Sequence, residues 1–245
     1  MAKNNAPNRS GLIIYGRHAV MAALLNPKRQ INKLLVTKEN FNEVKDKAPQ
    51  NFINIVDRKE IEKLLPQDAV HQGFAAYAKE LESIAVEDII KLAEGRERCH
   101  ILVLDQVTDP QNIGAIIRSC AAFGTLALIV QDKNSPSETG AMAKASVGAI
   151  ETLPICRATN LSRTIQQLQE AGFWAIGMDG SADTTIDKIS KAGKNIIVMG
   201  SEGKGMRRLV EENCDIIVKL QISNKVESLN VSTAAAIALY EMNKE

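Results

Sequence analysis

The run from Leu102 to Arg118 leaves an apolar segment through a polar, proline-marked stretch and sets two side chains, Asn112 and Arg118, just beyond it. An amide and a five-donor guanidinium fork suit a phosphate, or an oxygen that gains negative charge during a reaction. Leu102–Leu104 reads as the end of a buried strand, and Asn112 to Phe123 as a helix stopped by Gly124. Ligands of α/β sheets gather at the carboxyl ends of strands, so this placement makes a site candidate. Each residue also has a plainer reading. Asn112 could simply cap the helix, and Arg118 could be a surface charge whose stem lies along apolar neighbours.

Two later segments carry comparable chemistry. Gly200-Ser201-Glu202-Gly203-Lys204-Gly205 follows the apolar run Ile196–Met199, so a glycine-rich loop leaves a strand end where a ligand can approach the backbone. Its spacing fits neither the Walker A loop nor the dinucleotide fingerprint, and a tight turn explains it equally well on its own. Ser228-Leu229-Asn230-Val231-Ser232 precedes an Ala-rich helix, where polar side chains also serve as caps. Asp179 to Asp183 looks like a calcium loop but lacks the central glycine and terminal glutamate. His18, His71 and His100 have no ligand spacing, and no metal is expected. Cys99, Cys120, Cys156 and Cys214 form no C-x-x-C pair, so reduced thiols are expected rather than zinc or disulfides.

The elements that must position these segments form two units. Residues 1–11 are polar and Asn/Pro-rich and are expected to be a disordered tail. Residues 12–79 read as a small α/β unit, with a helix from His18 to Leu25, strands at 33–37, 52–56 and 73–78, and a helix opened by the capping-box-like Asp57–Glu60. Residues 80–98 are charged, contain a helical Val86–Glu94 and a Gly95 break, and are expected to be a linker. Residues 99–245 alternate strands and helices, which implies a mainly parallel sheet covered by helices. The strands are expected at 100–104, 126–130, 173–178, 195–199 and 215–220, with helices near 161–171 and 231–242.

The 245-residue chain is 45% hydrophobic, enough for a sizeable core, and its formal charge of +1 hides an asymmetry. Residues 1–80 hold 13 Lys and Arg against 8 Asp and Glu, while the remainder is net acidic. A basic unit beside an acidic one suits a polyanion-binding part next to a catalytic part, or merely a solvated basic face. No apolar run approaches the length of a membrane span, and the first ten residues have no hydrophobic signal core, so a cytoplasmic protein is expected.

Taken together, N-x-G-A-x-x-R from Asn112 to Arg118, the G-x-E-G-x-G loop from Gly200 and S-L-N-V-S from Ser228 resemble the three motifs of the SpoU (TrmH) family of RNA ribose 2′-O-methyltransferases. Tyr15–Val20 and Val70–Gly73 resemble the ends of that family's substrate-binding module, so the resemblance spans nearly the whole chain. Val107–Ala115 and Met199–Leu209 look most like the branch that methylates a guanosine of 23S rRNA.

The resemblance implies a sheet with a deep trefoil knot, S-adenosylmethionine as cofactor, and a homodimer formed through the catalytic domain. It implies that Gly200, Leu220, Ile222 and Leu229 surround the adenosine, and that Arg118, Asn112, Glu202, Ser228 and Asn230 surround the reacting centre. Leu220-Gln221-Ile222 departs from the family's frequent Ile-Pro-Met. Arg17, Lys28, Arg29, Lys33 and Lys38 are expected to grip RNA by its phosphates. Arg118 is expected to stabilise an alkoxide rather than act as a base, because a guanidinium keeps its proton. The alternatives are a tRNA guanosine 2′-O-methyltransferase and a non-catalytic knotted RNA-binding or ribosome-assembly factor. A Rossmann-type methyltransferase is disfavoured because no acidic G-x-G-x-G strand-loop precedes the site.

Overall fold

A computed structural model describes residues 11–223 and 225–244; the expected disordered tail lies outside the described residues except for Gly11. The amino-terminal unit is a four-stranded sheet built from β1 (Leu12–Tyr15), β2 (Ile31–Val36), β3 (Ile53–Ile55) and β4 (Phe74–Ala78), in the order β1-β4-β2-β3. Only β2 and β3 run parallel. Helices α1 (Arg17–Leu25), α2 (Phe41–Val44) and α3 (Arg58–Glu62) connect the strands. Asp57 precedes α3, but its side chain makes no capping bond.

The second unit begins with α4 (Val86–Leu92) and centres on β5 (Cys99–Leu104). From there the chain runs through α5 (Pro110–Ala122), β6 (Leu128–Gln131), α6 (Gly140–Ser146), β7 (Ile155–Ala158) and α7 (Leu161–Glu170). It continues through β8 (Phe173–Met178), β9 (Thr184–Thr185), β10 (Lys194–Met199), α8 (Arg208–Glu211), β11 (Ile216–Lys219) and α9 (Val231–Asn243). These seven strands lie in the order β7-β6-β5-β10-β8-β11-β9, all parallel.

Parallel strands covered on both faces need apolar residues in unbroken runs. Along β5, Leu102 and Leu104 enter the core under α5 and α9, while Ile101 and Val103 face the core under α4 and α7. The same alternation in β10 sends Ile197 and Met199 one way and Ile196 and Val198 the other. Connections depart from β5 toward β6 on one side, while β10 lies on the other. The boundary between β5 and β10 is therefore the switch point at which such sheets open a crevice.

The two units share one core: Ile14, Val20, Leu34 and Phe74 belong to the same apolar cluster as Leu102, Ile113 and Met142. Residues 80–98, expected as a linker, are themselves packed. The Ile84 amide donates to the Ile155 carbonyl at 2.9 Å, and Ile89 of α4 is fully buried.

Arg29 corrects an expectation. Its side chain is wholly buried between the units, where Glu138 and Glu151 each approach at 2.7 Å. Glu138 also accepts from the Leu81 amide, and Glu151 from the Asn26 side chain. A guanidinium enclosed by two carboxylates has no donor left for an RNA phosphate, so Arg29 holds the two units together instead.

Candidate active site

The end of β10 passes into the glycine-rich loop, which closes on itself through the amide of Ser201 to the Gly205 carbonyl at 3.1 Å, and the reverse bond at 2.9 Å. A Cβ at Gly200 would collide with the Gly205 and Met206 backbone, so only glycine allows the two sides of the loop to meet. Beside this loop lies a cavity of about 230 Å³. Gly200, Glu202, Leu220, Ile222, Ser228 and Leu229 all line it, bringing together residues from the ends of β10 and β11 and the approach to α9.

Glu202 is the centre of a bonded cluster. One carboxylate oxygen accepts from the Val231 amide at 2.8 Å and from the Asn230 side chain at 2.9 Å. Asn230 donates in turn to the Asn112 side-chain oxygen at 3.0 Å. Its own oxygen caps α9 by accepting from the Ser232 amide at 2.9 Å. A carboxylate at a helix N-terminus also meets the positive end of the helix dipole. The three sequence segments thus converge through Asn112, Glu202 and Asn230. Asn112 is not the cap of α5; Asp109 is, accepting from the Gln111 amide at 2.8 Å.

Arg118 stands apart. Six residues along α5 turn it roughly 240° from Asn112, at 3.6 residues per turn, and it is exposed, with no hydrogen bond to the cluster among the described residues. Arg17, Lys28, Lys33 and Lys38 are exposed on the amino-terminal unit, with Arg17 paired to Glu43 at 2.8 Å.

Sequence reasoning missed Met178, Asp179, Lys219 and Glu227, which also line the cavity. Asp179 and Lys219 could have been found from their positions at the ends of the strand runs they close. Glu227 carries no such signal, since it acquires its place only when the loop before α9 folds back.

The lining fits a ligand with an apolar body and a positive charge. Met178, Met199, Leu220, Ile222, Leu229 and Ala234 give apolar contact, while Asp179, Glu202 and Glu227 outnumber the one lining cation among the described residues, Lys219. Burial pushes Cys120 and Cys214 up to about 12 and Cys156 to about 11, which keeps these thiols protonated at neutral pH. Among the described residues no group of three His, Cys, Asp or Glu could hold a metal ion.

Comparison with known proteins agrees with this architecture. Residues 100–240 match the SpoU rRNA methylase family, and residues 13–84 match the RNA 2′-O ribose methyltransferase substrate-binding domain. The 23S rRNA (guanosine-2′-O-)-methyltransferase RlmB of Coxiella burnetii is 37% identical, over 95% of both chains. The putative TrmH family tRNA/rRNA methyltransferase YacO of Bacillus subtilis is 36% identical, also over 95% of each. The fold is shared with the SpoU methyltransferase AviRb of Streptomyces viridochromogenes, solved with AdoMet, at a TM-score of 0.81 and 20% identity over 95% of this chain and 89% of that one.

Proposed function

The chain belongs to the SpoU rRNA methylase family, and from that premise we propose that it transfers a methyl group from S-adenosylmethionine to the ribose 2′-hydroxyl of a guanosine in 23S rRNA. The observation that carries this reading is the convergence of Asn112, Glu202 and Asn230 beside a cavity that combines apolar walls with three carboxylates. The near-full-length similarity to an enzyme named for 23S rRNA guanosine favours rRNA over tRNA.

In this reading Gly200, Leu220, Ile222 and Leu229 hold the nucleoside through backbone and apolar contact, with Asp179, Glu202 and Glu227 facing its charged part. When bound, S-adenosylmethionine supplies a methyl group on a cationic sulfur, already a strong electrophile. The protein must then chiefly align the ribose oxygen and manage its proton. Glu202 fixes Asn230, and Asn230 fixes Asn112, so the two amides are pre-set to orient the ribose. Ser228, which lines the cavity, holds the target nucleotide in this reading. Arg118, exposed on α5 and apart from this chain's own cluster, reaches the reacting oxygen of the partner's site across a dimer of this chain. There it stabilises the developing alkoxide and keeps its own proton, which leaves water or an RNA phosphate to accept the one released.

The amino-terminal unit grips RNA through Arg17, Lys28, Lys33 and Lys38. A homodimer through the outer face of α5 and α9 completes the reading. Ile237 is 37% and Tyr240 51% exposed there, Tyr240 meets Phe123 edge-on at 6.0 Å, and the exposed Arg118 belongs to α5. The implied knot at the cofactor loops and a cytoplasmic location belong to the same proposal. No helix among the described residues is long and apolar enough to cross a membrane.

Ribose-methylation mapping of total RNA from cells with and without the gene tests the substrate. Loss of one 23S guanosine site is expected. An unchanged 23S pattern with a lost tRNA site would shift the assignment to tRNA.

A further inference from the structure

One charged pair at the same sheet edge has no part in the mechanism above. Asp105 follows β5 and is fully buried, and both of its oxygens are committed to a single residue. Oδ1 accepts from Nε of Arg207 and Oδ2 from the Arg207 backbone amide, each at 2.8 Å. A buried carboxylate is costly unless paired and hydrogen-bonded. Its partner here is the residue by which the chain leaves the glycine loop, so the pair staples the end of β5 to that loop.

The staple accounts for Asp105 but not for the choice of arginine. Because Oδ2 is taken by the Arg207 amide, the guanidinium is held through Nε alone. Its two Nη groups have no hydrogen-bond partner among the described residues, and the side chain remains 39% exposed. A lysine ammonium could neutralise Asp105 as well, but its remaining N–H donors spread tetrahedrally and form no planar parallel pair facing outward. Lys204 and Arg208 are exposed in the same segment, although Arg208 is engaged by Glu212 at 2.7 Å. A planar fork held on one edge and open on the other is the arrangement that receives a phosphate with two parallel bonds.

We propose that Arg207 is a binding residue for the RNA substrate, its outer Nη edge taking a phosphate oxygen of the strand that carries the target ribose. The proposal rests on the RNA-methylation reading and adds to it a substrate contact on the cofactor loop. Pinning by Asp105 reduces the side-chain freedom lost when the phosphate docks.

The test uses full-length protein and a 23S rRNA fragment, comparing wild type with Arg207→Lys and Arg207→Gln. The readouts are S-adenosylmethionine affinity by calorimetry, RNA affinity across a salt series, and thermal midpoint. In Arg207→Lys the staple survives, so cofactor affinity and midpoint stay near wild type. RNA affinity falls roughly tenfold, as for one lost charge-assisted bond, and the slope of log Kd against log salt shrinks by about one phosphate contact. Arg207→Gln leaves Asp105 without a counter-charge; if that variant does not fold, Arg207→Lys alone decides. Wild-type RNA affinity and salt slope in Arg207→Lys would overturn the proposal and leave the pair as a staple only. A wild-type protein that binds the RNA yet transfers no methyl would contradict the methylation reading instead, while the salt slope still reports on Arg207.

Discussion

Glu202 accepts from both the Val231 amide and the Asn230 side chain, so removing its carboxylate unpairs the start of α9 and leaves Asn230 held by Asn112 alone of its two side-chain acceptors. Hydrogen bonds to a charged group are each worth about 1.5–3 kcal/mol. Glu202→Ala is therefore expected to lower the methyl-transfer rate by about 10- to 100-fold or more, measured in single turnovers with saturating RNA; a rate within twofold of wild type would remove the cluster from the mechanism. Arg118→Ala should cost about 10²–10³ in the same assay, the range for one lost oxyanion donor. His100 gives a pH dependence. Burial first, and then the neighbouring Arg98, hold its imidazole below the ordinary 6.5. As pH falls through 6.5 the unfolded chain binds the proton before the folded one, so stability declines below that point and continues to decline until the folded imidazole titrates. Between about pH 7.5 and about pH 5.5 the thermal midpoint should drop in wild type and drop less in His100→Gln; equal drops would exonerate His100. At this scale the sequence was informative where side chains act locally: Asn112, Glu202 and Asn230 were legible as polar residues at element ends. Arg29 was not, because a basic residue after a helix looks the same whether water or two distant glutamates surround it.

Helices α5 and α6 cross where Gly114 lies against the Met142 backbone, and a Cβ there would stand 2.5 Å from the Met142 carbonyl oxygen. Backbone cannot yield as a flexible side-chain tip can. Gly114→Ala should therefore force the helices apart and cost about 1–3 kcal/mol, the usual range for overpacking, read from the denaturation midpoint. Asn112 sits two residues earlier in α5, so activity should fall further than stability alone dictates. Most elements of the second unit were legible because they are long and patterned: α7, β8, β10 and α9 lie within a few residues of their expected bounds. The missed elements explain themselves physically. Gly140–Ser146 is mostly small residues with no apolar stripe, and it is held as α6 by packing on α5 and β1. β7 and β1 have four residues each and β9 two, too short for a period to declare itself.

At the scale of the molecule, the Arg29 triad and the shared core make the two units one body of contacts. Arg29→Ala would leave Glu138 and Glu151 buried without their counter-charge, and breaking such a pair typically costs about 3–5 kcal/mol. Chemical denaturation should show that loss, and Arg29→Met combined with Glu138→Gln and Glu151→Gln should recover part of it; no loss in Arg29→Ala would mean the interface opens to water. Strand order was beyond the sequence, since nothing local reveals that β10 inserts beside β5 and makes the crevice. The central claim is the chemistry at that crevice. Purified protein incubated with S-adenosylmethionine carrying a labelled methyl group and a 23S rRNA transcript, followed by digestion to nucleosides and mass spectrometry, measures it directly. The account predicts label in 2′-O-methylguanosine, formed about 10²–10³ times more slowly with Arg118→Ala, whereas label on a base, or none on RNA that the protein binds, would contradict it.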